Sequence, residues 1–317
     1  MPLNGPDDAS SSDQASVSLE KDGFFVFNDV FSNEELGGLR RAAEEHFKRA
    51  GRRLPGGGLK QANAAVEIPA IEWLFHHPRV LHCFREALGT DSIMFTSHAD
   101  LQKDVPGGWH KDDGTSESSP DSPGYFSKFA YDADDCKVYK MAVYLESHDH
   151  DHAGLWVRDG SHRVKSYERG TPHYLGPRAG GVIIFDVRIT HSGQFKSKLY
   201  RAMLKLGRFL PARVADPAFT KTRAFVRAVT NRQRIAYFFT FGVPNAYTIE
   251  FARNNILRQL SLTPGTNMRL PKNLKNELER AGVLLAEDHF NVDDLQTDGG
   301  QINPQANKFA TSGSMMM

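Results

Sequence analysis

The sequence predicts a mainly β protein with flanking helices, an α+β architecture closed as a double-stranded β-helix of the cupin-type jelly roll. Three observations support this fold class. Short apolar or alternating segments are separated by turns, helix signals concentrate near the amino terminus, and the composition is typical of a globular chain. Strands are predicted over residues 23–28, 92–102, 137–146, 154–158, 181–187, 201–209 and 233–242.

The predicted helices are recognised by their end signals and apolar stripes. Ser32 and Glu35 form a capping-box pattern that opens the first long helix. Gly51 and Gly89 provide stops after two apolar-striped segments. Helices are therefore predicted over residues 32–50, 78–88 and 247–260, and a flexible loop over residues 52–62.

The chain is predicted to form one domain between two disordered tails. Residues 1–17 and 298–317 are rich in small and polar residues, which cannot bury enough apolar surface to fold. The single domain covers residues 18–297. Its core is predicted over 18–210, and a carboxy-terminal extension over 211–297 packs on that core.

The composition restricts the classes of partner and the compartment. A net charge of +1 at pH 7 argues against nucleic-acid and membrane-surface roles. The sequence shows no signal-peptide pattern and no apolar run of membrane-spanning length. Cys83 and Cys136 are the only cysteines, so we expect no disulfide and a reducing, cytoplasmic location. A monomer or weak dimer acting on a small molecule is expected.

A short motif and a distant histidine predict a metal site. His110 and Asp112 are two residues apart, so on one strand both side chains leave the same face. His191 follows an apolar strand further along the chain. Two imidazoles and one carboxylate form the facial triad of non-haem Fe(II) oxygenases, which leaves metal positions open. We therefore predict His110, Asp112 and His191 as metal ligands.

A strand arginine predicts a site for an organic anion beside the metal. Arg201 opens the next predicted strand, ten residues after His191. A buried arginine is costly unless an anion pairs with it. The guanidinium fork suits the distal carboxylate of 2-oxoglutarate, and a structural salt bridge is the alternative.

Together these motifs resemble the iron- and 2-oxoglutarate-dependent dioxygenases of the phytanoyl-CoA dioxygenase-like family. The resemblance covers about residues 18–210 and includes the segments at 22–27 and 154–163. It implies that Fe(II), 2-oxoglutarate and O2 are used. It also implies oxidation of an unactivated C–H bond, by hydroxylation, desaturation or oxidative ring closure. Trp156 matches a position that lines the cosubstrate in that family.

Three further residues are weaker candidates for contacts with the cosubstrate. They lie beside predicted strand ends and are Gln102, Lys103 and Ser192. An outward-facing position is the alternative for each, because a register error of one residue moves a side chain to the other face.

The stretch between Asp113 and Asp135 is predicted to be a lid over the substrate. It is rich in Ser, Pro, Gly and Asp, and a long loop beside a metal ligand is commonly functional. A floppy surface insertion is the alternative. Candidate substrate-binding residues are aromatic or cationic and lie in the lid or near the predicted barrel mouth: Tyr125, Phe126, Lys128, Lys140 and Arg158.

The cations predict a small, polar, carboxylate-bearing metabolite of a biosynthetic pathway as the substrate. One alternative is an acyl-coenzyme A or lipid-like 2-hydroxylase. An alternative of another class is a non-catalytic cupin-like protein that holds a metal or ligand.

Other histidines compete for the metal. Residues 148–152 alternate His and Asp, but they fall where a solvated turn is expected. His162 and His173 are predicted to be structural or loop residues, and His191 is preferred for its spacing to Arg201.

Overall fold

Alternating apolar segments form two sheets in the computed structural model of the protein. The structure describes residues 12–54, 58–105, 107–116, 121–148, 153–193, 233–263 and 266–297. The helices are α1 Ser12–Lys21, α2 Asn33–Arg49, α3 Ala64–Glu67, α4 Glu72–Phe75, α5 Pro78–Leu88, α6 Ala246–Leu262, α7 Lys272–Arg280 and α8 Val292–Thr297. The strands are β1 Phe24–Phe27, β2 Arg52–Arg53, β3 Leu59–Ala62, β4 Ile93–Lys103, β5 Val138–Tyr144, β6 Leu155–Arg158, β7 Pro172–Leu175, β8 Val182–Asp186, β9 His191–Ser192, β10 Ile235–Gly242 and β11 Val283–Leu285.

The strands are arranged as a large sheet and a small sheet. The large sheet has the order β1-β8-β5-β10-β4-β3-β2, with β11 added beside β4. β11 runs parallel to β4, and the pairs along the rest of the large sheet are antiparallel. The small sheet has the order β7-β6-β9 and is also antiparallel. β10 therefore lies at the centre of the large sheet, although it is late in the chain.

Alternate residues of the large sheet face the small sheet. Ala236 and Phe238 of β10 share one apolar cluster with Leu155 and Val157 of β6. Because side chains alternate along a strand, these residues define one face of the large sheet. We call the face turned toward the small sheet the inner face.

The opposite face of the large sheet packs against helices. Tyr237, Phe239 and Phe241 of β10 are buried in the main core cluster. The Phe84 ring of α5 lies 5.9 Å from that of Phe239 and 4.4 Å from that of Phe241. The helix ends at Gly89, whose φ of 67° is a left-handed conformation that favours glycine.

Most of the predicted elements are confirmed, with small shifts at their ends. The predicted strands that the structure confirms are those over 23–28, 92–102, 137–146, 154–158, 181–187 and 233–242. The three predicted helices are confirmed as α2, α5 and α6, and the Ser32–Glu35 capping box is present. The strand predicted over 201–209 and the tail over 298–317 lie outside the described residues.

Two predicted irregular segments are wrong in part. Helix α1 begins at Ser12, inside the predicted tail, because Ala15 and Leu19 are both fully buried on the core side. The predicted loop over 52–62 contains β2 and β3, and β3 pairs with β4. Tertiary contacts order both segments, and their local composition gives no sign of it.

The chain after residue 210 contributes to the centre of the sheet. β10 pairs with β4 on one side and with β5 on the other.

Cys83 and Cys136 are buried and unbridged. Within the described ranges, no helix is long and apolar enough to cross a membrane.

Burial of the face of β4 that packs against helices is expected to determine much of the stability of the protein. Leu101 is fully buried, whereas Leu284 of the neighbouring β11 is 47% exposed. We expect Leu101→Ala to lower the free energy of unfolding by about 2–5 kcal/mol, because it removes buried methyl groups and leaves a cavity. Leu284→Ala should change it by no more than about 0.5 kcal/mol. Urea unfolding of both variants measures this, and equal losses would contradict the assignment of the core.

Candidate metal centre

Three side chains converge near the small sheet. His110, Asp112 and His191 each offer a ligand atom, and these atoms lie within 4.8 Å of one another. Nε2 of His191 is 3.3 Å from Oδ2 of Asp112, and Nε2 of His110 is 3.7 Å from Oδ1. Within the described residues this is the only such group of His, Cys, Asp or Glu. The structure thus brings together the three residues predicted as ligands.

The backbone places the two histidines opposite each other. The His110 N–H donates to the His191 carbonyl at 3.0 Å, and the His191 N–H donates to the His110 carbonyl at 2.8 Å. Val157 pairs with His191, and directly paired residues share a face, so the His191 ring lies on the side of Val157, between the sheets. Asp112 follows the bridge in a bend, where its N–H donates to Val187 O at 2.8 Å. The single strand expected for His110 and Asp112 is replaced by a bridge and a bend.

Both imidazoles are oriented for coordination through Nε2. Nδ1 of His110 lies 2.7 Å from the Gly108 carbonyl, and Nδ1 of His191 lies 3.1 Å from the Ile189 carbonyl. A carbonyl accepts only, so each Nδ1 carries the proton and each Nε2 keeps a free lone pair. Burial, with a smaller contribution from His191, lowers the pKa of His110 to about 4, which keeps this ligand neutral at pH 7. The donor set therefore fits a divalent transition metal.

Lys140 holds the carboxylate of the cluster. Its Nζ lies 2.6 Å from Oδ2 of Asp112, and only 7% of the Lys140 side chain is exposed. Burial favours the protonated form of Asp112, but Lys140 and then the histidines outweigh burial and hold the pKa of Asp112 well below its usual value. Lys140, predicted as a substrate contact, is thus found on a metal-ligand candidate.

The predicted lid folds back onto the residue after Asp112. The Tyr125 N–H donates to Asp113 O at 2.8 Å, and the Tyr131 hydroxyl donates to Asp113 Oδ2 at 2.9 Å. Gly124 has a φ of 73°, and a Cβ there would lie 2.2 Å from Asp113 O. Tyr125 and Phe126 are buried. The described part of this segment is therefore docked, while residues 117–120 lie outside the described residues.

Helix α6 holds the lid from the other side. The Tyr125 ring lies 5.6 Å from that of Phe251, and the Phe126 ring lies 5.6 Å from that of Tyr247. Lys128 is exposed, with its Nζ 5.9 Å from the centre of the Tyr247 ring. Tyr125 and Phe126 thus face the protein, and Lys128 faces solvent.

The two predicted cosubstrate residues of the small sheet point away from the cluster. Trp156 pairs with Ser192, so both side chains lie on the face opposite Val157 and His191. The Trp156 ring packs 5.1 Å from that of Tyr174, and Ser192 Oγ donates to the Gly107 carbonyl at 3.0 Å.

The remaining predicted contacts divide between the two faces. Gln102 pairs with Ala236 and lies on the inner face, whereas Lys103 pairs with Ile235 and lies on the opposite face. Arg158 lies on the same face of β6 as Trp156, the face turned away from the large sheet. Its guanidinium lies 4.8 Å from the centre of the Trp109 ring.

A second arginine, which the sequence reasoning missed, lies at the edge of the inner face. Arg201 is outside the described residues, but Arg234 directly precedes β10. Its Nη1 donates to Val105 O at 2.8 Å and its Nη2 to the Tyr144 hydroxyl at 3.1 Å. Its Nε is buried without a hydrogen-bond partner among the described residues. A Cβ on Gly193, two residues after His191, would lie 2.7 Å from Nη2, so glycine there makes room for this guanidinium.

The competing histidines have structural surroundings. His148 is only 1% exposed by its side chain, so the predicted solvated turn is wrong at that residue, and residues 149–152 lie outside the described residues. Nε2 of His162 lies 3.2 Å from Glu20 O, and His173 lies 3.1 Å from the Asp159 carboxylate. Neither His162 nor His173 is part of the three-residue cluster.

The fold is shared with solved structures of known enzymes. The sequence matches no protein-family model and no curated protein. The non-haem α-ketoglutarate-dependent epimerase SnoN from nogalamycin biosynthesis is 14% identical, with a TM-score of 0.55 over 84% of this chain and 94% of SnoN. The non-haem α-ketoglutarate-dependent carbocyclase SnoK from nogalamycin biosynthesis is 15% identical, with a TM-score of 0.51 over 76% of this chain and 87% of SnoK.

A third neighbour was solved with iron. EctD from S. alaskensis with bound Fe is 17% identical, with a TM-score of 0.50 over 76% of this chain and 79% of EctD. At these identities the similarity shows the fold, and the narrower phytanoyl-CoA dioxygenase-like family stays a prediction. The predicted cofactors, Fe(II) and 2-oxoglutarate, are consistent with these neighbours and with the His110, Asp112 and His191 cluster.

Proposed function

We propose that the protein is an Fe(II)- and 2-oxoglutarate-dependent oxygenase that oxidises an unactivated C–H bond of a small polar metabolite. The observation that carries this proposal is the convergence of two Nε2 atoms and one carboxylate, from His110, His191 and Asp112. Three protein ligands of this kind leave metal positions for a chelating cosubstrate and O2. Similarity of fold to SnoN and SnoK supports the class.

The arrangement of strands is compatible with a double-stranded β-helix. The run β8-β5-β10-β4 forms one wall and β7-β6-β9 forms the other. His110, joined by its backbone to His191, extends the second wall. In this fold, ligands bind in the mouth between the walls, which is where the cluster lies.

The protein's own groups would prepare and aim the reaction. Bound Fe(II), together with 2-oxoglutarate and O2, supplies the oxidising power for C–H cleavage. The carbonyls of Gly108 and Ile189 fix the two imidazole rings, and Lys140 keeps Asp112 ionised. The docked lid would restrict the access of water to the centre, and the protein would present one C–H bond of the substrate to the metal.

Arg234 is our candidate for the group that binds the distal carboxylate of 2-oxoglutarate. It lies beside Gly193, immediately after the strand that carries His191, and its Nε lacks a partner among the described residues. Tyr144, on the inner face, shares a hydrogen bond with it. An arginine fork beside a hydroxyl can hold a carboxylate through charge-assisted hydrogen bonds. Arg201 is the competing candidate from the sequence.

Two other functions differ from this proposal in features that experiments can measure. An acyl-coenzyme A or lipid-like 2-hydroxylase would share the metal centre and differ in substrate. A cupin-like binding protein would hold metal without consuming 2-oxoglutarate. Product analysis separates hydroxylation, desaturation and ring closure, since the metal centre is compatible with each.

The first prediction concerns the complex of Fe(II) with 2-oxoglutarate in the protein. Anaerobic addition of Fe(II) and 2-oxoglutarate to the metal-free protein should give a weak visible charge-transfer band, because the open positions of the metal can accept the keto acid. Absorption spectroscopy with each component omitted in turn is the measurement. Metal binding with no band and no succinate formation would favour the binding-protein function.

Loss of a predicted ligand should remove metal binding. His191→Ala is expected to weaken Fe(II) binding beyond the roughly 10- to 100-fold cost of losing an outer-shell partner, because a coordinating atom is lost. His82→Ala is the control, since the His82 side chain is 68% exposed and its ion-pair partner is Glu86 on the same helix. Anaerobic calorimetric titration measures both. Equal affinities for the two variants would disprove the ligand assignment, as would a larger loss when His150 and His152 are changed together.

Removal of the cosubstrate anchor should separate cosubstrate binding from metal binding. Arg234→Ala is expected to raise the 2-oxoglutarate concentration for half-formation of the visible band by about tenfold or more, because a charged hydrogen-bond donor is lost. Fe(II) affinity should stay within about twofold, since Arg234 contacts none of the three ligand side chains directly. If Arg201→Ala gives the large effect and Arg234→Ala does not, the assignment from the sequence is correct.

A further inference from the structure

A row of polar side chains crosses the inner face beside the metal-ligand candidates. Thr240 of β10 pairs with Lys140 of β5, the lysine that holds Asp112. On the other side of Thr240, its Oγ1 lies 3.1 Å from Nδ1 of His98 on β4. Nε2 of His98 in turn lies 3.5 Å from Oδ2 of Asp100. The row therefore runs from the cluster across three neighbouring strands.

Asp100 ends this row inside the protein. It is 4% exposed, and His98 is 2% exposed. Asp100 pairs with Phe238, an inner-face residue, so its carboxylate also lies on the inner face. Lys60 of β3 forms an ion pair of 2.7 Å with Oδ2 of Asp100, so the charge of Asp100 is balanced.

Helix α6 brings a further cation to the same place. Phe251 of this helix packs against His98, with ring centres 6.3 Å apart, and also against Tyr125 of the lid. Arg258, two turns further along α6, lies close to the Tyr125 hydroxyl. Arg258 is thus held between the lid and the row of polar side chains.

The charge of Arg258 is maintained by groups around the centre. Burial works against the charged form, yet the pKa of Arg258 is raised. The compensating interactions come from Tyr125, Asp100 and Asp112. Because Asp100 is paired with Lys60 and Asp112 with Lys140, Arg258 has no carboxylate of its own within the described residues.

Two buried polar atoms of this group lack hydrogen-bond partners. They are Oδ1 of Asp100 and Nε of Arg258, with partners sought among the described residues. Buried polar atoms are nearly always satisfied, and leaving one unmade costs about 1–3 kcal/mol. The acceptor on Asp100 and the donor on Arg258 match what a polar ligand with one donor and one acceptor requires.

We propose that Asp100, His98 and Arg258 form the substrate-recognition wall, and that the substrate is an α-amino or α-hydroxy acid. Oδ1 of Asp100 accepts from the ammonium or hydroxyl group, and the Arg258 guanidinium binds the carboxylate. This inference rests on the proposed function and names the substrate class for the same centre. An acyl chain would leave Oδ1 of Asp100 and Nε of Arg258 desolvated and unpaired, so an acyl thioester is disfavoured.

The test uses matched compounds on the wild-type protein. The probes are the standard α-amino acids, the corresponding 2-hydroxy acids, the deaminated carboxylic acids and the decarboxylated amines. Binding is measured by calorimetry, with and without Fe(II) and 2-oxoglutarate under anaerobic conditions, and by the shift of the visible band. We expect at least one amino or hydroxy acid to bind about tenfold or more tightly than both of its truncated analogues, because each analogue loses one charged or polar contact. Comparison of the amino with the hydroxy acid identifies the group at Asp100.

Two variants test whether the binding preferences arise from Asp100 and Arg258. Arg258→Gln should remove the preference for the acid over its decarboxylated amine, and Asp100→Asn should remove the preference over the deaminated acid. Arg253→Gln is the matched control, because Arg253 is exposed on the same helix and its side chain bonds to the adjacent Asn254. If circular dichroism shows that Asp100→Asn does not fold, the Arg258→Gln result alone tests the proposed wall.

The outcomes for the wall and for the oxygenase can be told apart. A visible band with no binding of any amino or hydroxy acid would overturn the wall while leaving the oxygenase intact. Binding that Arg258→Gln leaves unchanged would also overturn it, as would a preference for decanoyl-coenzyme A. Amino-acid binding that depends on Arg258, in a protein that forms no band, would keep the wall and overturn the oxygenase.

Discussion

The whole centre depends on one pair of backbone hydrogen bonds, those between His110 and His191. They join the start of β9 to the segment that leaves β4, so two imidazoles from distant parts of the chain come close together. A side-chain contact could not hold both rings with comparable precision, since side chains change rotamer easily. Further backbone carbonyls then fix each ring through Nδ1. The relative placement of the two candidate ligand rings is in this way determined by main-chain pairing.

The His110-Asp112 pair could be predicted because its spacing is local, whereas the proximity of Arg234 to His191 could not be predicted. His110 and Asp112 are two residues apart, and His191 follows a clearly apolar segment. Arg234 is separated from His191 by the stretch 194–232, so the nearer Arg201 fits the expected spacing better. Local patterns carry no information about which distant strand completes a sheet.

The sequence also did not predict which face of the sheet each side chain lies on, or which distant residues contact each other. Gln102 and Lys103 lie on opposite faces, and only the pairing of β4 with β10 decides which one faces inward. Arg258 lies in a helix that carries no metal or cosubstrate motif, and its position near Asp100 follows from the packing of α6 on β4 and the lid. The elements of the fold were therefore more predictable than the long-range contacts around the candidate metal centre.

The central position of β10 also constrains how the chain can fold. β4 and β5 both pair with β10, which starts at residue 235, so the middle of the large sheet stays open until that part of the chain has been made. Closing loops of this length before any contact is gained slows folding and exposes unpaired strand edges. During synthesis, the edges of β4 and β5 that pair with β10 would stay unpaired until β10 has been made. Unpaired strand edges in the nascent chain are thus a physical consequence of the strand order.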